Sequence, residues 1–164
     1  MTDSAISNAF AGGFHGGHAH MSLEDAVADF PAEHYNTKPR NVPYSFWHLL
    51  EHIRITANDL LTYTDAEEYV EGEWPGDYWP TQDATTDEAG WQATISGIQA
   101  IDAQLEKLAN GSLESLAAPA KHAGGTEGHT VARTIRIATQ HEAYHLGEFG
   151  ILRQVEGLWS ADHQ

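Results

Sequence analysis

Apolar residues recur every three or four positions along three long stretches of the 164-residue chain, and no stretch alternates with period two far enough to found a sheet. The spacing predicts amphipathic helices. The first spans "NVPYSFWHLLEHIRITANDLLTYT", where Phe46, Leu49, Leu50, Ile53, Ala57, Leu60 and Leu61 share a face and Pro43 suits a first turn. The second is expected to start at Thr85 or Thr86, with Glu88 placed for a capping box. Trp91, Ile95, Ile98, Leu105 and Leu108 then run down one side until Asn110-Gly111 stops it. The third runs from about Thr130 to Gly157. A shorter, acidic helix is expected in "SLEDAVADF", opened by Ser22 with Asp25 three residues on and limited by Pro31.

These elements predict an all-α protein, an antiparallel four-helix bundle in which facing side chains can build a site between helices. Two glycine-rich patches, "AGGFHGGHAH" and "AGGTEG", punctuate the chain. The expected organisation is a Gly/His-containing segment over 1–21, followed by a single domain over 22–164.

Charge narrows the function. Eight Lys and Arg face 24 Asp and Glu, a formal net of −16, so the clustered cations that bind phosphates are missing. Neither nucleic acid nor an anionic membrane is an expected partner; a strongly solvated surface, as in a salt-tolerant cytoplasm, accounts for the acidity. The start of the chain has no basic and then apolar leader, and no stretch approaches a membrane span, so a cytoplasmic location is expected. Cysteine is absent, which removes disulfides and thiolate metal sites together. Any metal must be held by nitrogen and oxygen.

Eleven histidines supply the nitrogen. At about 100° per residue, the third long helix places Val131, Thr134, Ala138, His141, His145, Phe149 and Leu152 on one side, so two histidines interrupt the core stripe. One inward histidine is ordinarily a hydrogen-bonded core residue, but two in succession each need a buried partner, and one metal ion satisfies both. A further ligand is available on the first long helix, where His52 lies about 40° nearer the apolar side than His48. His52, His141 and His145 are therefore the expected metal ligands, a three-nitrogen set with an open position. His48 is expected to be a partly exposed surface histidine or an outer-shell residue. The "HGGHAH" tract could bind metal only loosely, and His34, His122, His129 and His163 are expected to be solvated.

The string "HEAYH" also matches H-E-x-x-H, in which two histidines hold zinc and the glutamate acts on water in a metalloprotease. On that alternative Glu142 is the general base. Against it, only nineteen residues follow His145 to supply a third ligand, the position three after His145 is Glu148 where the extended motif needs glycine, and no strand is on offer to align a peptide. Glu142, Glu148 and Tyr144 are the weak catalytic candidates, with packing or helix surface as the plain reading of each. Asp59 stands as an outer-shell or solvated residue. Trp74, Tyr78 and Trp79 in "EWPGDYWP" either form a lid over the metal or cap an end of the bundle.

"PYSFWHLLEHIR", "EWPGDYWP" and "HEAYHLGEFGILRQVEGLW", with "GGHAHMSLEDAVADFP" near the start, resemble the DinB family, the DinB/YfiT-like metal-binding four-helix proteins. The resemblance implies an up-down-down-up bundle, a homodimer, and a divalent metal held by one histidine of the second helix and two of the fourth. Carried across by position, these are His52, His141 and His145. Zinc is the first expectation, with nickel or iron as alternatives. The chain departs from the family pattern at Gln140, Glu142 and Glu148, around the ligands rather than at them. Some members look like metal-dependent transferases or isomerases working with small thiols, so a thiol or an electrophile is the implied substrate. The competing expectation is a non-enzymatic stress-related bundle whose structural or sensing metal is closed by a fourth ligand, Glu148 or His48.

Overall fold

The computed structural model describes residues 3–17 and 19–160. Its helices are α1 (Asp3–Ala11), α2 (Leu23–Val27), α3 (Phe46–Asp65), α4 (Glu88–Ala109), α5 (Leu113–Ala117) and α6 (Val131–Val155), with single 3-10 turns at Gly12–Phe14, Ala32–His34 and Gly76–Tyr78. Among the described residues there is no strand, only an isolated bridge between Pro119 and Thr130. The protein is all-α.

The long helices begin where capping side chains allow. Ser45 caps α3 by accepting from the His48 amide at 3.2 Å, while His48 Nδ1 accepts from the Ser45 amide at 3.0 Å, a reciprocal pair that places the start after Pro43. α4 starts later than the Thr85–Thr86 expectation, because Asn36 holds both backbone groups of Thr86 and Asp87 becomes the cap, accepting from Gly90 at 2.9 Å. Glu88 is no capping-box partner; it accepts from the Tyr35 hydroxyl at 2.6 Å. Thr130 caps α6, and Gly157, at φ +68°, follows its end.

α2 is half the length expected. Asp29 takes a left-handed φ of +51° and Pro31 extends the chain before it, so the helix stops at Val27. Arg153 holds the freed carbonyls, donating to Ala26 at 2.8 Å and Ala28 at 2.6 Å. Phe30 is thereby turned inward, with its ring 4.8 Å from Phe46, 5.1 Å from Trp91 and 5.3 Å from Phe149. α1, which no periodicity in the sequence had suggested, packs on α4 and α6 and buries Ala11 beside Phe14 just after it.

α3 packs against both α4 and α6. α3 and α6 run antiparallel, since His52 near the start of α3 meets His141 in α6, while Tyr63 near the end of α3 meets His129 just before α6. The groove between them carries the site.

Candidate metal centre

α3 contributes His52, only 1% exposed, and α6 contributes the half-buried His141 and His145. Each offers one ring nitrogen to a cluster whose members all lie within 4.8 Å of one another. No other trio of His, Asp or Glu among the described residues meets that condition. The closest pair is His52 Nε2 and His141 Nε2, 3.1 Å apart.

The remaining nitrogens fix the tautomers. His52 Nδ1 lies 2.7 Å from the carbonyl oxygen of Tyr78, which can only accept, so the proton sits on Nδ1 and Nε2 carries a lone pair. His145 Nδ1 lies 2.8 Å from Glu148 Oε2, a carboxylate oxygen, which leaves its Nε2 bare by the same reasoning. Tyr44 donates its hydroxyl to the other oxygen of Glu148 and holds that carboxylate in place. The Trp79 ring lies flat on His52, centroids 3.9 Å apart and planes 5° from parallel, and Tyr44 stacks on Trp79 at 4.8 Å.

Burial favours the neutral form of His141 and His52. Burial, then the neighbouring His145 and His52, push the His141 pKa down to about 3. Burial also lowers His52, outweighing the bond to Tyr78. Burial alone would raise Glu148, but the hydrogen bonds from His145 and Tyr44 prevail and keep it below the usual carboxylate range. Imidazoles whose outer nitrogens are committed to a carbonyl and a carboxylate have the arrangement of metal ligands. The 3.1 Å between His52 Nε2 and His141 Nε2 is close to the roughly 3.3 Å that a tetrahedral ion with ~2.0–2.1 Å bonds would set between its nitrogens. The donor set thus fits a divalent ion with affinity for nitrogen.

Several expectations change. His48 is neither a surface nor an outer-shell residue: it is 2% exposed, its Nδ1 serves the α3 cap and its Nε2 donates to the Thr81 carbonyl at 3.1 Å. Glu142 is not poised over the histidines. It is 5% exposed and occupies the centre of the buried face of α6, where burial and the carboxylates of Asp102 and Glu24 push its pKa up to about 8. The wheel drawn through His141 and His145 was centred one residue off, and the two histidines flank the core instead of facing its middle.

Tyr144 is 71% exposed, its ring edge-on to His145 at 4.9 Å. Asp59 is half-buried rather than solvated; burial raises its carboxyl and the nearby Tyr69 and Tyr78 hydroxyls oppose that rise. His122 and His129 are half-buried as well; His122 Nε2 donates to Ala66 O at 2.9 Å and His129 Nδ1 lies 2.7 Å from the Tyr63 hydroxyl. His34 Nδ1 is 3.1 Å from Thr37 Oγ1. In the glycine-rich tract, His15 pairs with Glu106 and His20 with the Met21 carbonyl. His18 and His163 lie outside the described residues.

The 74–79 segment does more than cap the bundle, since it supplies the Tyr78 carbonyl and the Trp79 ring to His52. Trp74, 71% exposed, stands 6.4 Å from the same imidazole. Sequence reasoning missed Tyr44 and the Tyr78 backbone; only the tyrosine beside Pro43 carried a signal, as a polar aromatic just ahead of a helix.

A family model, that of the DinB superfamily, matches residues 18–149. The chain belongs to the DinB superfamily. The matched span takes in all three histidines and the loop that covers His52. Neither a curated protein nor a solved structure matches the chain. No helix among the described residues is long and apolar enough to cross a membrane.

Proposed function

We propose that this DinB protein holds a divalent metal, zinc first, on His52, His141 and His145 and uses it in a reaction of the thiol-dependent transferase or hydrolase type. The observation that carries the reading is the pair of committed Nδ1 atoms, His52 on the Tyr78 carbonyl and His145 on Glu148, which aim two bare nitrogens at one point beside His141. When bound, such an ion supplies Lewis acidity that lowers the pKa of a thiol or water at the open position. The chain's own part is to hold geometry. Tyr44 fixes Glu148, Glu148 fixes His145, and Trp79 covers the face of His52 against water.

An open position is supported by the two side chains that could have closed it. His48 has both nitrogens engaged, and Glu148 is bound by His145 and Tyr44. A structural or sensing metal needs one of them released. The protease alternative loses its base, because Glu142 sits in the core beside Asp102. Elemental analysis with zinc titration is the first test, with one equivalent per chain expected. Metal-loaded protein is then incubated with small thiols and a panel of electrophiles. Turnover that disappears in His52→Ala supports the reading; no turnover across the panel refutes it. The homodimer implied by the resemblance belongs to the same proposal, and sedimentation is its check, with a species of twice the 18.0 kDa chain expected.

A further inference from the structure

A second cavity, of about 440 Å³, opens in the α3–α6 groove at the C-terminal end of α3, and its walls include Asp59 and Tyr63 of α3, Tyr69 and Glu71 of the next segment, and His129 and Arg133 around the start of α6. Its charged groups divide into two poles. Asp59 and Glu71 form the acidic one: burial raises the Asp59 carboxyl, the Tyr69 and Tyr78 hydroxyls oppose that rise, and the charge of Glu71 adds to it. Arg133 forms the basic one. The Arg133 guanidinium has no hydrogen-bond or ion-pair partner among the described residues, only its backbone amide being bonded, to Thr130 Oγ1 at 3.2 Å. That is notable where acids outnumber bases 24 to 8. The Tyr63 hydroxyl lies 2.7 Å from His129 Nδ1, which joins the two walls of the cavity.

We propose that this cavity binds a small zwitterion, the α-ammonium and α-carboxylate of an amino acid or of a molecule that ends in one. Both poles demand it. A simple anion attracted to Arg133 would meet Asp59 and Glu71, and a simple cation attracted to those carboxylates would meet Arg133. A molecule carrying both charges pairs with each: its carboxylate takes the planar guanidinium, and its ammonium offsets the repulsion between Asp59 and Glu71. The rings of Tyr63 and Tyr69 supply apolar wall for the carbon skeleton.

The cavity also lies in register with the metal centre. Asp59 is seven residues beyond His52, and Thr134, another wall residue, is seven before His141, so each pair shares a helix face two turns, about 10 Å, apart. Tyr78 spans the gap, its carbonyl accepting from His52 and its hydroxyl near enough to Asp59 to oppose the rise that burial imposes there. An amino acid anchored in the cavity can therefore send its side chain along the groove toward the histidines, which makes it the anchor of the substrate. That last clause rests on the metal reading above; binding in the cavity does not.

The test is calorimetric titration of the metal-free full-length chain with L-methionine, L-glutamine and L-phenylalanine, each compared with its N-acetyl and methyl-ester forms. At least one free amino acid is expected to bind saturably, and blocking either charge is expected to weaken it tenfold or more. Arg133→Gln and Asp59→Asn are each expected to lose tenfold, with Arg133→Lys recovering part, while Arg40→Gln, outside the cavity lining, binds like the parent; thermal melts establish that the variants are folded. No saturation by any of the three up to about 10 mM, equal binding by the blocked forms, or parent-like affinity in both charge variants overturns the site. Amino-acid binding that persists in a chain taking up no zinc would leave the cavity site standing and remove its role as substrate anchor.

Discussion

The two sides of the five residues "HEAYH" follow opposite rules for buried polar groups. On one flank of α6, His141 and His145 face His52, and the outer nitrogens of His52 and His145 are taken by a carbonyl and a carboxylate. On the core side, Glu142 is buried toward Asp102 of α4, whose Oδ1 is buried with no hydrogen-bond partner among the described residues. One side is preorganised for a cation; the other is a pair of carboxyls held toward neutrality by burial. A motif read as one functional unit is divided by the fold into two environments, and only the first has the second-layer contacts that orient ligands.

The comparison breaks most directly at the ligands. His141→Ala should lower zinc affinity more than ~100-fold, because two imidazoles and no third cannot complete a tetrahedral protein site; competition against a chromogenic chelator reads it. A smaller loss is expected from Glu148→Gln, about 10–100-fold in the same assay, since the amide is a poorer acceptor for His145 and loosens that ring.

The core side should answer to pH instead. Burial, then the charge of Glu24, raise Asp102 to about 7, with His15 opposing. Because the folded value of Asp102 lies above its unfolded one, the unfolded chain gives up that proton first, so the contribution of Asp102 to stability falls as pH rises from about 4 to 7, by up to about 1.4 kcal/mol per pH unit, on top of a fall of the same sign from Glu142. Above the folded value the loss is complete. Asp102→Asn should make that slope shallower in urea melts between those pH values, with Glu142 supplying what remains, and a wild-type-like slope in the variant would contradict the account. The smallest effect is the sharpest discriminator. Glu142→Gln should leave zinc affinity within about threefold of the parent, whereas a metalloprotease base would show itself as lost turnover.

Much of the site was legible before folding. Histidines at i and i+4 on a strongly periodic helix must share a face, and a third histidine on the apolar side of another long helix has few places to point. The caps at Ser22, Thr130 and Gly157 were equally local, because each depends on residues within one turn. What failed was anything that depended on a distant partner. The length of α2 was set by Arg153, the start of α4 by Asn36, and the burial of His48 by its reach to Thr81.

Sequence periodicity alone thus determined the all-α fold, its three long helices and the identity of the three converging histidines, since hydrophobic spacing and capping act over a few residues. Tertiary structure alone decided that the glutamate between the histidines turns inward to Asp102, that a backbone carbonyl and a tryptophan from the 74–79 segment complete His52, and that Asp59 and Arg133 share a cavity. Those choices depend on which helix faces pack together and on burial at each contact, quantities that a one-dimensional pattern with a tolerance of one residue, about 100° on a helix, does not resolve.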